Sequence, residues 1–232
     1  MNTSIQNCMV AQSGGPTVAI NASLAGVIKG AAGCYGTVYG SVNGILGILN
    51  EHYLNLSEIM ESDDNALERL IHTPAMYLGS CRFKLPDFMD DDSSYNYIFK
   101  QFEKLNIGAF FYIGGNDSMD TVSKLSRYAE KIGSSIRIIG EPKTIDNDLV
   151  LTDHTPGFGS AAKYIATSTK EVIRDAMGLS YKRKMITIME IMGRNAGWLT
   201  GATALAKTED CCGPDLIYLP EIPFDVDRFL KK

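Results

Sequence analysis

A chain of 232 residues with 45% hydrophobic and 21% charged residues has the composition of a folded protein, which excludes disorder as its default state. Its formal net charge of −5 argues against nucleic acid as the main partner, because no basic surplus is present to neutralise phosphates. Five cysteines (Cys8, Cys34, Cys81, Cys211 and Cys212) include no C-x-x-C pair, so free thiols in a reducing compartment are expected and a zinc site is not. Residues 1–8 lack the basic start and apolar run of a signal peptide. No apolar stretch is long enough to span a bilayer, so no membrane partner is expected and the cytoplasm is the expected location.

In chain order, residues 8–11 read as a short buried strand, 12–16 as a loop, and the Ala-rich stretch up to Lys29 as a helix. Residues 37–39 read as a second strand. Asp90, Asp91 and Asp92 belong to a polar loop that leads into a helix over 95–105, where they serve the helix dipole and not a metal. The five apolar residues 109–113, bounded by glycines, are the strongest strand signal. Gly114-Gly115-Asn116 then turns, and Asp117 or Ser118 caps a helix that runs to Ile132. Residues 137–140, 185–189 and 216–219 read as further strands, and 160–176 and 196–207 as helices. From Asp225 an amphipathic helix begins with Val226, Phe229 and Leu230, which is a poor place for a domain to end, so a fragment is expected.

Strands alternating with helices imply an α/β fold with a mostly parallel sheet covered on both faces. The expected architecture is two Rossmann-like three-layer α/β/α domains, the second incomplete. The turn residues at 155–159 place the boundary so that the domains are 1–157 and 158–232. In such sheets the loops after the strand C-termini gather at one edge, where ligands bind. If their strands share a sheet, the Gly14, Gly114, Lys143 and Gly193 loops lie on that edge. No internal repeat is visible, and no G-x-G-x-x-G follows the first strand, which argues against a dinucleotide site.

The most informative segment is Pro142-Lys143-Thr144-Ile145-Asp146-Asn147-Asp148. A carboxylate that takes a proton and a cation that meets an anion are what phosphoryl transfer to an alcohol requires. Three charged groups in so short a loop are costly to bury without partners; the plain alternative is a surface loop with a local ion pair, which is worth little. Gly14-Gly15-Pro16 sits between a strand and a helix, where bare N–H groups form a phosphate site or simply a turn. Gly114-Gly115-Asn116-Asp117-Ser118 repeats that geometry with an acid inside it. Asn116 or Asp117 there either meets a magnesium ion, directly or through water, or serves the helix terminus. Arg194 in Met192-Gly193-Arg194 and Arg82 in Gly79-Ser80-Cys81-Arg82 either fork a phosphate or point to solvent. The basic run Lys182-Arg183-Lys184 is a solvated face or reaches a sugar phosphate on the same or a neighbouring subunit.

Taken in this order and spacing, these segments and Pro220-Glu221-Ile222-Pro223-Phe224 resemble the phosphofructokinase family along essentially the whole chain. The resemblance is to its pyrophosphate-using branch, because ATP-using members carry glycine where Asp117 and Lys143 stand. It implies that Asp146 is the base for the 1-hydroxyl of fructose 6-phosphate, supported by Thr144, Ile145 and Asp148. It implies that Met192, Gly193 and Arg194 hold the sugar phosphate, that Gly14 and Lys143 meet pyrophosphate, and that Arg82 bridges the transferring phosphoryl group. Asp117 stands where a nucleotide's α-phosphate would lie. Residues 1–157 are then the phosphoryl-donor domain and 158–232 the start of the fructose 6-phosphate domain, with Mg2+ as cofactor and a homo-oligomer as the expected assembly. The reaction implied is near-reversible and glycolytic.

Three departures qualify that expectation. Asn116 replaces the family's usual first acid, so metal contact there is indirect. The arginine that members present from a neighbouring subunit falls on Met185, with Arg183 or Lys184 as the substitutes. The family's C-terminal section, with a glutamate and a basic cluster for the sugar phosphate, lies beyond Lys232. A non-catalytic or regulatory subunit on the same scaffold is the alternative expectation.

Overall fold

In the computed structural model, residues 5–179 and 185–231 are described, and they divide into two compact units, 1–143 and 144–232. In the first unit, β4 (Ile107–Gly114) is the centre of the architecture: seven of its eight residues are buried. A strand buried on both faces requires a strand on each side and a layer of helices above and below. β1 (Asn7–Gln12) pairs parallel to β4 on one side, and β5 (Arg137–Pro142) pairs parallel to it on the other. β2 (Val38–Ser41) lies parallel to β1, and the three-residue β3 (Tyr53–Asn55) closes the sheet antiparallel to β2. The order is β3-β2-β1-β4-β5.

The period of two along β1 and β4 divides their side chains between two cores. Met9, Ala11, Phe110 and Tyr112 join the aromatic layer under α2 (Ile45–Leu49), α5 (Ser93–Lys104) and α6 (Asn116–Lys131). Cys8, Val10, Ala109 and Ile113 join the aliphatic layer under α1 (Val18–Ala31), α3 (Leu56–Glu61) and α4 (Ala66–His72). This is the three-layer α/β/α arrangement expected for the first domain. Pro142 closes β5 at the sheet edge, where a residue without an N–H donor costs no ladder bond.

The second unit contains α7 (Phe158–Gly178), the short α8 (Trp198–Ala202), a 3-10 turn at Thr203–Ala206 and α9 (Val226–Leu230). Asp210 ties its turn to α7 by accepting from Lys170 Nζ at 2.7 Å, and Arg174 donates to the Asp210 carbonyl at 2.5 Å. Asp225 caps α9 through the Arg228 N–H.

Several expectations need correction. The strands expected at 185–189 and 216–219 are not strands among the described residues, where all five strands lie in the first unit. A strand needs a neighbouring ladder, and these segments find none among the described residues; Ile186 and Ile188 are each 84% exposed. The helix expected over 196–207 is only one turn, because Gly197 begins it and the chain tightens to 3-10 geometry at Thr203. α6 is capped by Gly115, not by Asp117 or Ser118, because the helix starts directly where β4 ends. The basic run at 182–184 lies outside the described residues.

Candidate active site

Between β1 and β4 the sheet reverses its direction of growth. β1 leads outward to β2, and β4 leads outward to β5. The crevice outside the carboxyl ends of the strands at such a reversal is where open α/β sheets hold ligands. Gln12 pairs with Ile113 in register, so the turn after β1 (Ser13, Gly14, Gly15) and the turn after β4 (Gly114, Gly115) leave the sheet side by side. Gly14 has φ +88°, and a Cβ on it would stand 3.2 Å from the Gly115 backbone nitrogen. Only a residue without a side chain lets the two turns approach this closely.

Lys143 joins the third strand to this pair. Its N–H donates to the Gly114 carbonyl at 2.7 Å, which continues the β4–β5 ladder one residue past Pro142. Its side chain crosses to the first loop, where Nζ donates to the Gly15 carbonyl at 2.6 Å. The residue is only 5% exposed. A cation is therefore held against the first glycine turn, and its own backbone is tied to the second, which places positive charge at the crevice of an acidic protein.

A buried amide network fixes the base of the crevice. Gln12 Nε2 donates to the Ile20 carbonyl and to Asn21 Oδ1, and its Oε1 accepts from the Leu78 N–H. Asn21 in turn donates to the Thr73 carbonyl and accepts from the Tyr77 N–H. These bonds deliver the segment after residue 78 to the glycine turns. Ser80 Oγ donates to the Gly14 carbonyl at 3.0 Å, and Ser13 Oγ donates to the Cys81 carbonyl at 3.2 Å. Arg82 follows on the same segment, exposed, at the rim of a cavity of about 410 Å³ that also includes Asn43, Leu46, His52, Cys81 and Phe83. Beneath the turns, burial pushes the Tyr112 phenol up to about 12, against smaller lowering effects from Ser13 and Ser118. The ring oxygen stays neutral and adds no competing anion.

Asn116 and Asp117 open α6 directly beside the Gly115 turn, both exposed. Asp117 Oδ1 lies 3.5 Å from Lys84 Nζ, a cation the sequence reading did not single out. Lys84 has no motif of its own; the signal was its position two residues after Arg82.

The rest of the heptapeptide belongs to the second unit. Thr144 Oγ1 accepts from the Asp146 N–H at 3.0 Å. Asn147, not singled out from the sequence, organises the loop. It is 7% exposed with φ +58°, a conformation asparagine tolerates better than most residues. Its amide donates to the Asp153 carbonyl at 3.0 Å and accepts from the Thr155 N–H at 2.8 Å. Ile145, Asp146 and Asp148 are half-buried, and one oxygen of each carboxylate is shielded from solvent. Met192 and Arg194 are exposed, and Gly193 turns between them at φ +115°, where a Cβ would strike the Ala196 carbonyl. α8 starts just beyond, its Gly197 N–H capped by Glu221 Oε1 at 2.6 Å. The structure thus gathers Gly14, Lys143, the Gly114 turn and the start of α6 into one crevice, and carries Asp146, Asp148 and Arg194 in the second unit.

The phosphofructokinase family model matches residues 7–232. The chain is 44% identical over 222 residues to a pyrophosphate–fructose 6-phosphate 1-phosphotransferase of Halomonas elongata, covering 94% of this chain and 52% of that protein. It is 46% identical over 225 residues to the enzyme of that name from Rhodospirillum rubrum, covering 96% and 53%. The crystal structure of a pyrophosphate-dependent phosphofructokinase from Nitrosospira multiformis superposes with a TM-score of 0.84 at 41% identity, over 98% of this chain and 56% of that one. The chain therefore spans about half the length of the curated relatives it matches. With a family model covering nearly all of it and the glycine-turn crevice in place, the chain belongs to the phosphofructokinase family.

Proposed function

We propose that the full protein transfers a phosphoryl group from pyrophosphate to the 1-hydroxyl of fructose 6-phosphate. Asp146 takes the hydroxyl proton, O1 attacks the terminal phosphorus, and the bridging P–O bond breaks with its electron pair leaving on orthophosphate. The products are fructose 1,6-bisphosphate and phosphate, and the reaction runs in both directions. The observation that carries this reading is the buried Lys143 ammonium on the Gly15 carbonyl, at the first of the two adjacent glycine turns. Pyrophosphate offers only charge for recognition, and a cation fixed at the crevice provides the matching contact. Asp117 fills the start of α6 where a nucleotide donor would pass, and Lys143 and Asp117 together select the donor.

In this reading Gly14 and Lys143 hold pyrophosphate, Arg82 bridges the transferring group, and Thr144, Ile145 and Asp148 shape the surroundings of the base. Met192, Gly193 and Arg194 hold the sugar phosphate. Among the described residues no group of three or more His, Cys, Asp or Glu side chains is arranged to hold a metal ion. Mg2+ keeps its waters and binds through substrate phosphates and one or two protein oxygens, so the reading needs no such group. Asn116 Oδ1, exposed at the start of α6, is the protein oxygen that would meet the ion. When bound, the ion neutralises charge on the phosphates. We also propose a homo-oligomer acting in the cytoplasm within glycolysis.

The test is a coupled assay of the purified full-length protein with pyrophosphate and with ATP. Turnover with pyrophosphate in both directions is expected. Activity with ATP alone would overturn the donor assignment, and binding of pyrophosphate without turnover would overturn the catalytic one. The paired substitution Asp117→Gly with Lys143→Gly is expected to admit ATP in part.

A further inference from the structure

We propose that Lys84 is a specificity-determining residue: it holds and neutralises the Asp117 carboxylate, so that Asp117 blocks a longer donor by its volume without repelling pyrophosphate. This inference rests on the pyrophosphate reading given above.

Asp117 presents a conflict. It stands in the first turn of α6, where N–H groups and the helix dipole favour an anion. A carboxylate there competes with any phosphate that approaches the same turn, because like charges at close range repel. The Lys84 ammonium at 3.5 Å supplies the opposing charge. Lys143 does not serve in its place, because its ammonium is directed to Gly15.

The position of Lys84 is built and not incidental. Upstream, Ser80 Oγ and Ser13 Oγ bond the segment 80–81 to the first glycine turn. Downstream, Lys124 Nζ of α6 donates to the Leu85 carbonyl at 3.0 Å, and the Leu85 side chain is buried in the aromatic core. The backbone on both sides of Lys84 is therefore clamped, once to the β1 turn and once to α6. Both side chains of the Lys84–Asp117 pair are largely exposed, so in the free protein the pair contributes little to stability. A bound ligand that displaces water strengthens it, which places its effect on the liganded state.

The experiment uses the full-length protein, with pyrophosphate binding by titration calorimetry and steady-state kinetics. Lys84→Met is expected to raise the pyrophosphate Kd and KM about 3- to 10-fold, with a smaller change in KM for fructose 6-phosphate, and Lys84→Arg to restore most of the loss. High salt is expected to narrow the gap between Lys84→Met and the parent. In the Asp117→Asn background, Lys84→Met is expected to cost less than 2-fold. An equal loss in both backgrounds would mean that Lys84 acts on the ligand directly, and an unchanged Kd would mean that it does nothing; either overturns the proposal. If the parent protein binds pyrophosphate but does not turn it over, the catalytic reading fails while the binding cycle still decides the role of Lys84. If the parent does not bind pyrophosphate, both fail.

Discussion

Replacing Lys143 with methionine separates a lysine that holds the fold from one that holds a ligand. Methionine keeps an unbranched stem of similar length in a position only 5% exposed. The substitution removes the 2.6 Å bond to the Gly15 carbonyl, a charge-assisted contact worth about 1.5–3 kcal/mol. It also removes the cost of keeping an ammonium out of water, which is of comparable size, on the order of several kcal/mol. The two offset, so the net change in stability is expected to stay within about 1 kcal/mol, read as a small shift in the urea midpoint. Nothing offsets the loss in the liganded protein, where pyrophosphate loses its cation. A charged hydrogen bond of about 1.5–3 kcal/mol converts to a weakening of roughly 10- to 150-fold in pyrophosphate affinity, measured by titration calorimetry. A variant that binds pyrophosphate like the parent while unfolding at much lower urea would refute the reasoning and make Lys143 a structural strut.

Gly14→Ala forces a side chain onto φ +88° and pushes apart turns that leave 3.2 Å for the new carbon. A loss of about 1–2 kcal/mol in urea denaturation is expected, together with weaker pyrophosphate binding. Hydrogen bonding from Lys170, and next from Thr208, holds the Asp210 carboxyl down to about 2 from an ordinary 3.8. Because the folded value is the lower one, its contribution is complete above the unfolded value and is lost as pH falls from about 4 towards 2. Thermal melts of Asp210→Asn and parent should differ near neutrality and converge over that acid window; a constant difference would show that the charge is irrelevant. In alkylation followed by mass spectrometry, the exposed Cys34 and Cys212 should label first, and the buried Cys8 and Cys211 last. Burial pushes the Cys8 thiol up to about 11, so rapid labelling of Cys8 would contradict the packing of β1.

The sequence was most legible where a short segment carries its own reason for its shape. The apolar run at 109–113 lies inside β4, and Val38, Ile139 and Met9 sit in strands read from similar runs. α7 matches its expected span within two residues at each end. β3, α2, α3 and α4 were missed because their signals are tertiary. β3 has three residues and depends on β2 for its ladder, and α2 contains Gly47, a weak helix former buried against residues 41–42. At the site, the glycine turns and Lys143 stood out by residue type and position after strands, whereas Asp117 was set apart from a helix-terminus residue only by the family resemblance. Asn147 and Lys84 did not stand out, because one acts through a local backbone turn and the other through a neighbour thirty-three residues away.

The adjacency of the two glycine turns gives a bound anion a second role. The turns belong to β1 and β4, which lie about a hundred residues apart in the chain and meet only because the sheet reverses between them. A diphosphate lodged there would fasten the two halves of the sheet at their open ends, as a staple closes a folded page. Its binding energy would then add directly to the stability of the sheet. Pyrophosphate should accordingly raise the melting temperature of this unit most, and slow hydrogen exchange at the carboxyl ends of β1 and β4 more than at their amino ends.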